Sequence, residues 1–367
     1  MKNKLVKILL IEFFVVVIIF LYFFFNNNLH STIVQNPLIS DSQEKPEEFD
    51  VNKSKLYLEL EKGLLEGKEE IELISISLLK NPSEIFNILE SISNENPEVM
   101  YYKGAEYRFG KLTLYYSKEK EEIKKHQEEI RQIREKIISK YISPQMTDYD
   151  KVLFAHDYII NNSKYDSRHI PEGILPPESY SAYGILSLGI GVCEGYAKAM
   201  KYLLDDMGIE STIVVGKSKE ENHAWNLVKL EDEYYHVDPT WDDPITNDGS
   251  NILRYNFFCL DDAEISKTHS WNRENYPSAN SKKYNYFNYN NLIVYGKEEL
   301  EDRVKNTLLN RKTKLLIKVV SNDNEVIFLD EMIEKLAYDY YELMKLRSYS
   351  YSLDEDHGTI IFEFYYK

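Results

Sequence analysis

Only two cysteines occur in the 367 residues, and one of them, Cys193, stands in "GIGVCEGYAKAMKYLLDDMGI", where an apolar-periodic helix begins. A thiol at a helix N-terminus lies among unpaired N–H groups at the positive end of the dipole, which favours the reactive thiolate. Such a nucleophile needs an imidazole to exchange its proton and a third group to orient that imidazole. Downstream, "ENHAWNLVKLEDEYYHVDPTWDDP" supplies His223 and Asp238. Together the three types perform acyl transfer through a thioester. Plainer roles compete with this one. Cys193 could be a buried core residue or the disulfide partner of Cys259. His223 could be a surface histidine, and Asp238 the opener of an Asp-Pro turn. Zinc on His223, His236, Asp238 and Cys193 is a further alternative, but those residues lack the spacing of a recognisable zinc site, so no metal is expected. His156 and His269 read as packing or capping residues.

These groups meet only if the elements around them cooperate. Tyr196, Met200, Leu203, Leu204 and Met207 share one face of the helix that Cys193 opens, so that face should be buried and the N-terminus presented at an edge. Gly191 and Gly195 should leave room there for a substrate backbone. "HAWNLVKL" and "YYHVDPT" read as two antiparallel strands. With Glu231 and Asp232 as the central turn residues, Asp238 falls opposite Trp225 and diagonal to His223, on the same face and within reach of a His–Asp hydrogen bond. A one-residue slip would put the two on opposite faces.

"GVCEGYAKAM", "NHAWNLV" and "YYHVDPTWDDP" together resemble the core of the transglutaminase-like superfamily, whose fold is papain-like. The resemblance extends over 179–271, including "SAYGIL" and "YNFFCLDDAEISKTHSW", is looser over 53–166, and does not reach the C-terminal part. It implies an α+β fold in which the cysteine-bearing helix packs on an antiparallel sheet. It also implies Cys193 as nucleophile, His223 as base and acid, Asp238 as orienter, and no cofactor. The Cys193 N–H would be the first oxyanion donor, with Tyr183 the candidate second donor by its position upstream. Glu194, Trp225 and Trp241 are candidate cleft-lining residues.

The rest of the chain divides by texture. Within residues 1–25, the run 8–25 follows Lys2, Lys4 and Lys7, is interrupted only by Glu12 and is at the short end of a membrane span, so the segment reads as a signal anchor with a cytoplasmic N-terminus and an extracellular body. A cleavable signal peptide is the rival, but "FFFNNNLHST" has no small-x-small cleavage pattern. Residues 26–52 read as a polar tether. An N-terminal α+β region is expected over 53–145, with a helix on Ile85, Ile88, Leu89 and Ile92 capped at Ser83, a strand "KLTLYY", and a charged helix striped by Ile123, Ile130, Ile133 and Ile137. The catalytic core follows over 146–275, opened by a helix capped at Thr147 and Asp150. Over 280–367, strand-helix-strand-helix-strand text predicts a small α+β domain. A composition of 43% apolar and 29% charged residues suits a globular body, and the formal charge of −17 disfavours a nucleic-acid surface, which needs a basic footprint. An anchored enzyme of this kind would act on envelope proteins or cell-wall peptides. Water needs no dedicated site, so hydrolysis is expected over amine transfer. Protein cross-linking and a non-catalytic envelope binding or scaffold module are the alternatives. Neither the substrate nor the oligomeric state is legible.

Overall fold

The computed structural model describes residues 46–73, 83–168, 175–245, 252–320, 329–339 and 345–367. The expected anchor at 1–25, and the tether as far as residue 45, lie outside them. No helix of the described residues is long and apolar enough to cross a membrane. The chain divides into Met1–Val51 and Asn52–Lys367, and every strand among the described residues belongs to the second unit.

Helix α1 (Pro46–Leu65) leads into that unit. It carries Leu56, Leu60 and Leu64 four residues apart, and all three are buried. They meet Ile85, Leu89 and Ile92 of α2 (Ser83–Glu95) over a small antiparallel sheet of β1 (Glu70–Glu72), β2 (Tyr102–Arg108) and β3 (Lys111–Tyr116), in the order β1–β3–β2. Helix α3 (Lys120–Tyr141) buries Ile123, Ile130 and Ile137, with Ile133 half-buried, as its stripe predicts. That stripe joins the central core rather than the N-terminal cluster, so the expected boundary at 145 is crossed by packing. Helix α4 (Asp148–Asn162) begins with the anticipated capping box. Thr147 Oγ1 accepts from the Asp150 N–H, and the Asp150 carboxylate accepts from the Thr147 N–H.

The central layer is one helix on one sheet. After the short strand β4 (Lys164–Tyr165), the turn Pro177–Tyr180, helix α5 (Ala182–Leu186) and strand β5 (Ile190–Gly191), the chain enters α6 (Cys193–Asp206). One apolar face was expected for α6, but every residue from Gly195 to Leu204 is buried. Helices α4 and α5 pack on one side and the sheet on the other. Ala197 and Ala199 are small enough for this. The stems of Lys198 and Lys201 lie buried while their ammonium groups reach Glu194 and Asp205. The sheet comprises β6 (Ser211–Ser218), β7 (Glu221–Leu230), β8 (Glu233–Val237), β9 (Phe258–Leu260) and β10 (His269–Trp271), antiparallel throughout in the order β10–β6–β7–β8–β9. Helix α7 (Asp262–Ile265) links its last two strands.

The C-terminal sheet has its own core. After α8 (Tyr286–Tyr289), β11 (Ile293–Tyr295) runs parallel to β12 (Lys314–Val320) across helix α9 (Lys297–Leu309). Helix α10 (Leu329–Asp339) and the hairpin of β13 (Leu346–Asp354) and β14 (Thr359–Tyr366) complete the order β11–β12–β14–β13. Strand β13 was not anticipated. Its "LRSYSYSLD" alternates Tyr349, Tyr351 and Leu353 with Ser350, Ser352 and Asp354, and as an outer strand it buries little of either face. Arg254 and Asn256 of the core both donate to Asp354 Oδ2 and tie the two sheets together.

Candidate active site

Cys193 is the first residue of α6. The preceding Val192 donates its N–H to Ser179 O at 2.9 Å and offers no side-chain cap, so the first-turn N–H groups of α6 keep their donor capacity. Gly191 and Gly195 do not open space for a substrate. A Cβ on either would come within 2.9 Å and 2.7 Å of the Ser179 carbonyl oxygen, so these glycines let the 177–186 segment press against the helix entry. Both cysteines are free thiols, Cys193 half-buried and Cys259 fully buried in the central core. The bridge considered between them is not formed. Burial pushes the Cys259 thiol well above its ordinary range.

His223 and Asp238 come from β7 and the end of β8. The hairpin pairs Asn226 with Val237 and Leu230 with Glu233, the register that places both side chains on one face. His223 Nε2 lies 2.6 Å from Asp238 Oδ2. Cys193 lies close enough to the same imidazole to favour its protonated form. With Nε2 engaged by Asp238, Nδ1 is the nitrogen left for the thiol. Burial works against a charged ring, but the Asp238 carboxylate and then Cys193 outweigh it and hold His223 at about 10. Asp238 is fully buried, which opposes ionisation, yet His223 and His269 keep its carboxyl well below the usual range. The turn-former reading of Asp238 also holds. Its Oδ1 accepts from the N–H groups of Thr240 and Trp241, so one oxygen shapes the turn while the other faces the imidazoles.

His269 was expected to pack or cap. It comes from β10, across the sheet, and its Nε2 lies 3.0 Å from the same Asp238 Oδ2, while Nδ1 lies 2.7 Å from Thr268 Oγ1. The sequence signal that could have found it is the "THSW" that closes the resembling segment. Donor atoms of His223, Asp238 and His269 lie within 4.8 Å of one another, and each already has a hydrogen-bond partner inside the cluster. His236, a zinc-ligand candidate with His223 and Asp238, is not among them. Its Nδ1 accepts from Trp225 Nε1–H at 2.9 Å, and its Nε2 faces Asp262 Oδ1 at 2.9 Å.

The remaining candidates separate. Tyr183 is not poised as an oxyanion donor, because its ring stacks on His126 at 3.8 Å and its hydroxyl donates to Glu129. Tyr165 and Tyr180 are instead the tyrosines close enough to Cys193 to feel its charge. Trp225 does not line a cleft. It is wholly buried and stacks under the His223 ring at 5.9 Å. Gly216 makes that possible, since a Cβ there would come within 2.9 Å of the Trp225 ring. Trp241 does line a cavity, with its ring 5.4 Å from His269. Glu194 is half-exposed beside Cys193 and pairs with Lys198 at 2.7 Å. His156, fully buried, bridges Asp157 and Asp242. Burial opposes its charge, but the two carboxylates raise it to about 9. It joins α4 to the loop after β8.

Residues 135–239 match the model of the transglutaminase-like superfamily. No curated protein matches the chain. Among solved structures, similarity is found to "a Putative Cysteine Protease from Cytophaga hutchinsonii" (21% identity, 31% of this chain and 37% of that one, TM-score 0.24). It is also found to a TGase (17% identity, 42% and 46%, TM-score 0.28), and to menin (13% identity, 60% and 43%, TM-score 0.24). The chain spans less than half the length of each. The matched segment, 135–239, holds Cys193, His223 and Asp238.

Proposed function

We propose that this protein is a cysteine-dependent acyl-transfer enzyme that cleaves peptide or glutamine amides. The observation that carries the reading is the 2.6 Å pairing of His223 Nε2 with the buried carboxylate of Asp238, beside a free thiol at the α6 N-terminus that is near enough to influence the same imidazole. With the proton on His223, the Cys193 sulfur attacks the carbonyl carbon. The Cys193 N–H, at the uncapped start of α6, steadies the oxyanion. The C–N bond breaks as the imidazolium delivers its proton to the leaving amine. Water then attacks the thioester, giving its proton to His223, and the carboxylic acid and free thiol result. Asp238 keeps Nε2 protonated and Nδ1 turned to the sulfur. His269 is a positioning residue that shares Oδ2 and keeps that carboxylate ionised and aligned.

Hydrolysis is favoured because water needs no dedicated acceptor groove. With the apolar run at 1–25 as an anchor, the substrates would be envelope proteins or cell-wall peptides. A glutamine-containing peptide and a labelled primary amine offered together test this, with Cys193→Ala as control. Cysteine-dependent deamidation or cleavage is expected to exceed amine incorporation. The reverse would make the protein a cross-linking enzyme, and no cysteine-dependent turnover would favour a binding module. N-terminal sequencing of the membrane fraction tests the anchor, and a mature chain starting near residue 26 would remove it.

A further inference from the structure

A cavity of about 680 Å3 lies between the central sheet and the C-terminal sheet. Its near wall is Trp241 and Thr268, directly behind the His269–Asp238 pair, and its far wall is built from β11, β12 and the turn around Asp356. Cys193 and His223 do not line it. The volume suits a small ligand.

The charge lining this space is unusual for a chain of net charge −17. Four lysines face it. Two are exposed and pair with carboxylates at its rim. Lys267 bonds Glu264 at 2.8 Å, and Lys282 lies 3.5 Å from Asp261 and 3.6 Å from Glu264. The other two, Lys219 and Lys318, have no carboxylate within 4.0 Å among the described residues. Each rests over an aromatic ring instead, Lys219 at 4.6 Å from the Trp241 centroid and Lys318 at 5.5 Å from that of Phe287. Lys318 is half-buried, and that burial pulls its ammonium below its ordinary range. An ammonium withdrawn from water with no counter-charge in contact is costly, and an anion entering the cavity would offset the cost. The carboxamides of Asn256, Asn285 and Asn288 add donors and acceptors suited to peptide groups. Asp261, Glu264 and Asp356 in the same wall weigh against a polyphosphate or other dense polyanion.

We propose that this cavity is a second binding site, for a carboxylate-bearing peptide of about two or three residues, whose acid groups are held by Lys219 and Lys318. The proposal is independent of turnover at Cys193, and its test is run in the full-length Cys193→Ala chain. Isothermal titration would compare N-acetyl-triglutamate, the triglutamine analogue of the same size, and tripolyphosphate. Triglutamate is expected to bind at least about tenfold more tightly than triglutamine, more weakly as salt rises, with Lys219→Gln and Lys318→Met each costing about tenfold. Lys219 sits on an exposed turn, so its variant keeps the test readable should Lys318→Met fail to fold. Equal binding of the two peptides, no binding of either, indifference to both substitutions, or tighter binding of tripolyphosphate would each overturn the assignment.

Discussion

The central hairpin supplies one histidine to each of two His–Asp pairs, built from the same residue types and put to opposite use. His223 faces Asp238, and His236, from the neighbouring strand, faces Asp262. Both rings are nearly or wholly buried. What separates them is the second ring nitrogen. In His236 it accepts the Trp225 indole N–H, so the ring is closed at both ends. Burial then pulls its pKa down despite Asp262. In His223 the second nitrogen is left to Cys193, and Asp238 with Cys193 lifts the ring to about 10. A histidine–carboxylate pair is therefore not in itself a proton-transfer device. It becomes one when one ring nitrogen is oriented and the other is open to a reacting group. Trp225 enforces both states at once, donating to His236 while its face supports His223.

The largest effect should separate the two histidines directly. His223→Ala is expected to lower kcat by about 10²–10⁴-fold, while His236→Gln costs about 1–3 kcal/mol of stability and leaves kcat close to that of the parent. Steady-state kinetics beside urea unfolding would check this. Equal kinetic losses in both would end the contrast. The thiols repeat the same difference between open and closed groups. Iodoacetamide near neutral pH should label Cys193 to completion while Cys259, buried and with its thiol pushed up, remains unlabelled in the native protein. Mass mapping of the native digest would decide it, and label on Cys259 first would count against the site.

A smaller effect is expected at His269, which touches Asp238 but not the thiol. His269→Gln should reduce kcat by about 10- to 100-fold with KM little changed, because a displaced carboxylate misaligns the imidazole. The decisive readout is the pH profile. The limb assigned to His223 should move to lower pH in this variant, whereas loss of packing alone would lower the amount of active enzyme and leave the limbs in place.

The smallest effect is on stability, and its sign differs between the pairs. His223 is held at about 10 in the folded state, against about 6.5 when unfolded. Its contribution is thus fully present below about 6.5 and lost as pH rises toward the folded value. His236 is depressed in the folded state, so below about 6.5 the unfolded chain takes up the proton more readily and stability falls as the medium is acidified. Urea unfolding between about pH 5 and 10 should show His223→Gln flattening the alkaline side and His236→Gln the acid side. The same slope change in both variants would erase the distinction.

Part of this site was legible before any fold was known, because it depends on local spacing. The capping box of α4 involves residues three apart. The start of α6 is announced by the change from glycine-rich text to helical periodicity. The hairpin register follows from the turn at Glu231 and Asp232, and register alone brings His223 and Asp238 to one face. Local backbone geometry accounts for each of these, so the sequence by itself determined the order of Cys193, His223 and Asp238 and permitted a shared face for the last two, which the observed register realises. Tertiary packing decided the rest. His269 reaches Asp238 only because β10 adds to the far edge of β6, a pairing between distant segments that no local pattern encodes. Tyr183, expected as an oxyanion donor, stacks on His126; Gly191 and Gly195, expected to leave room for substrate, face the Ser179 carbonyl; and Trp225, expected in the cleft, donates to His236, each because a neighbouring element fills the space beside it. Side-chain type states what a group can do. Which nitrogen, face or cavity it can use depends on what long-range packing leaves beside it.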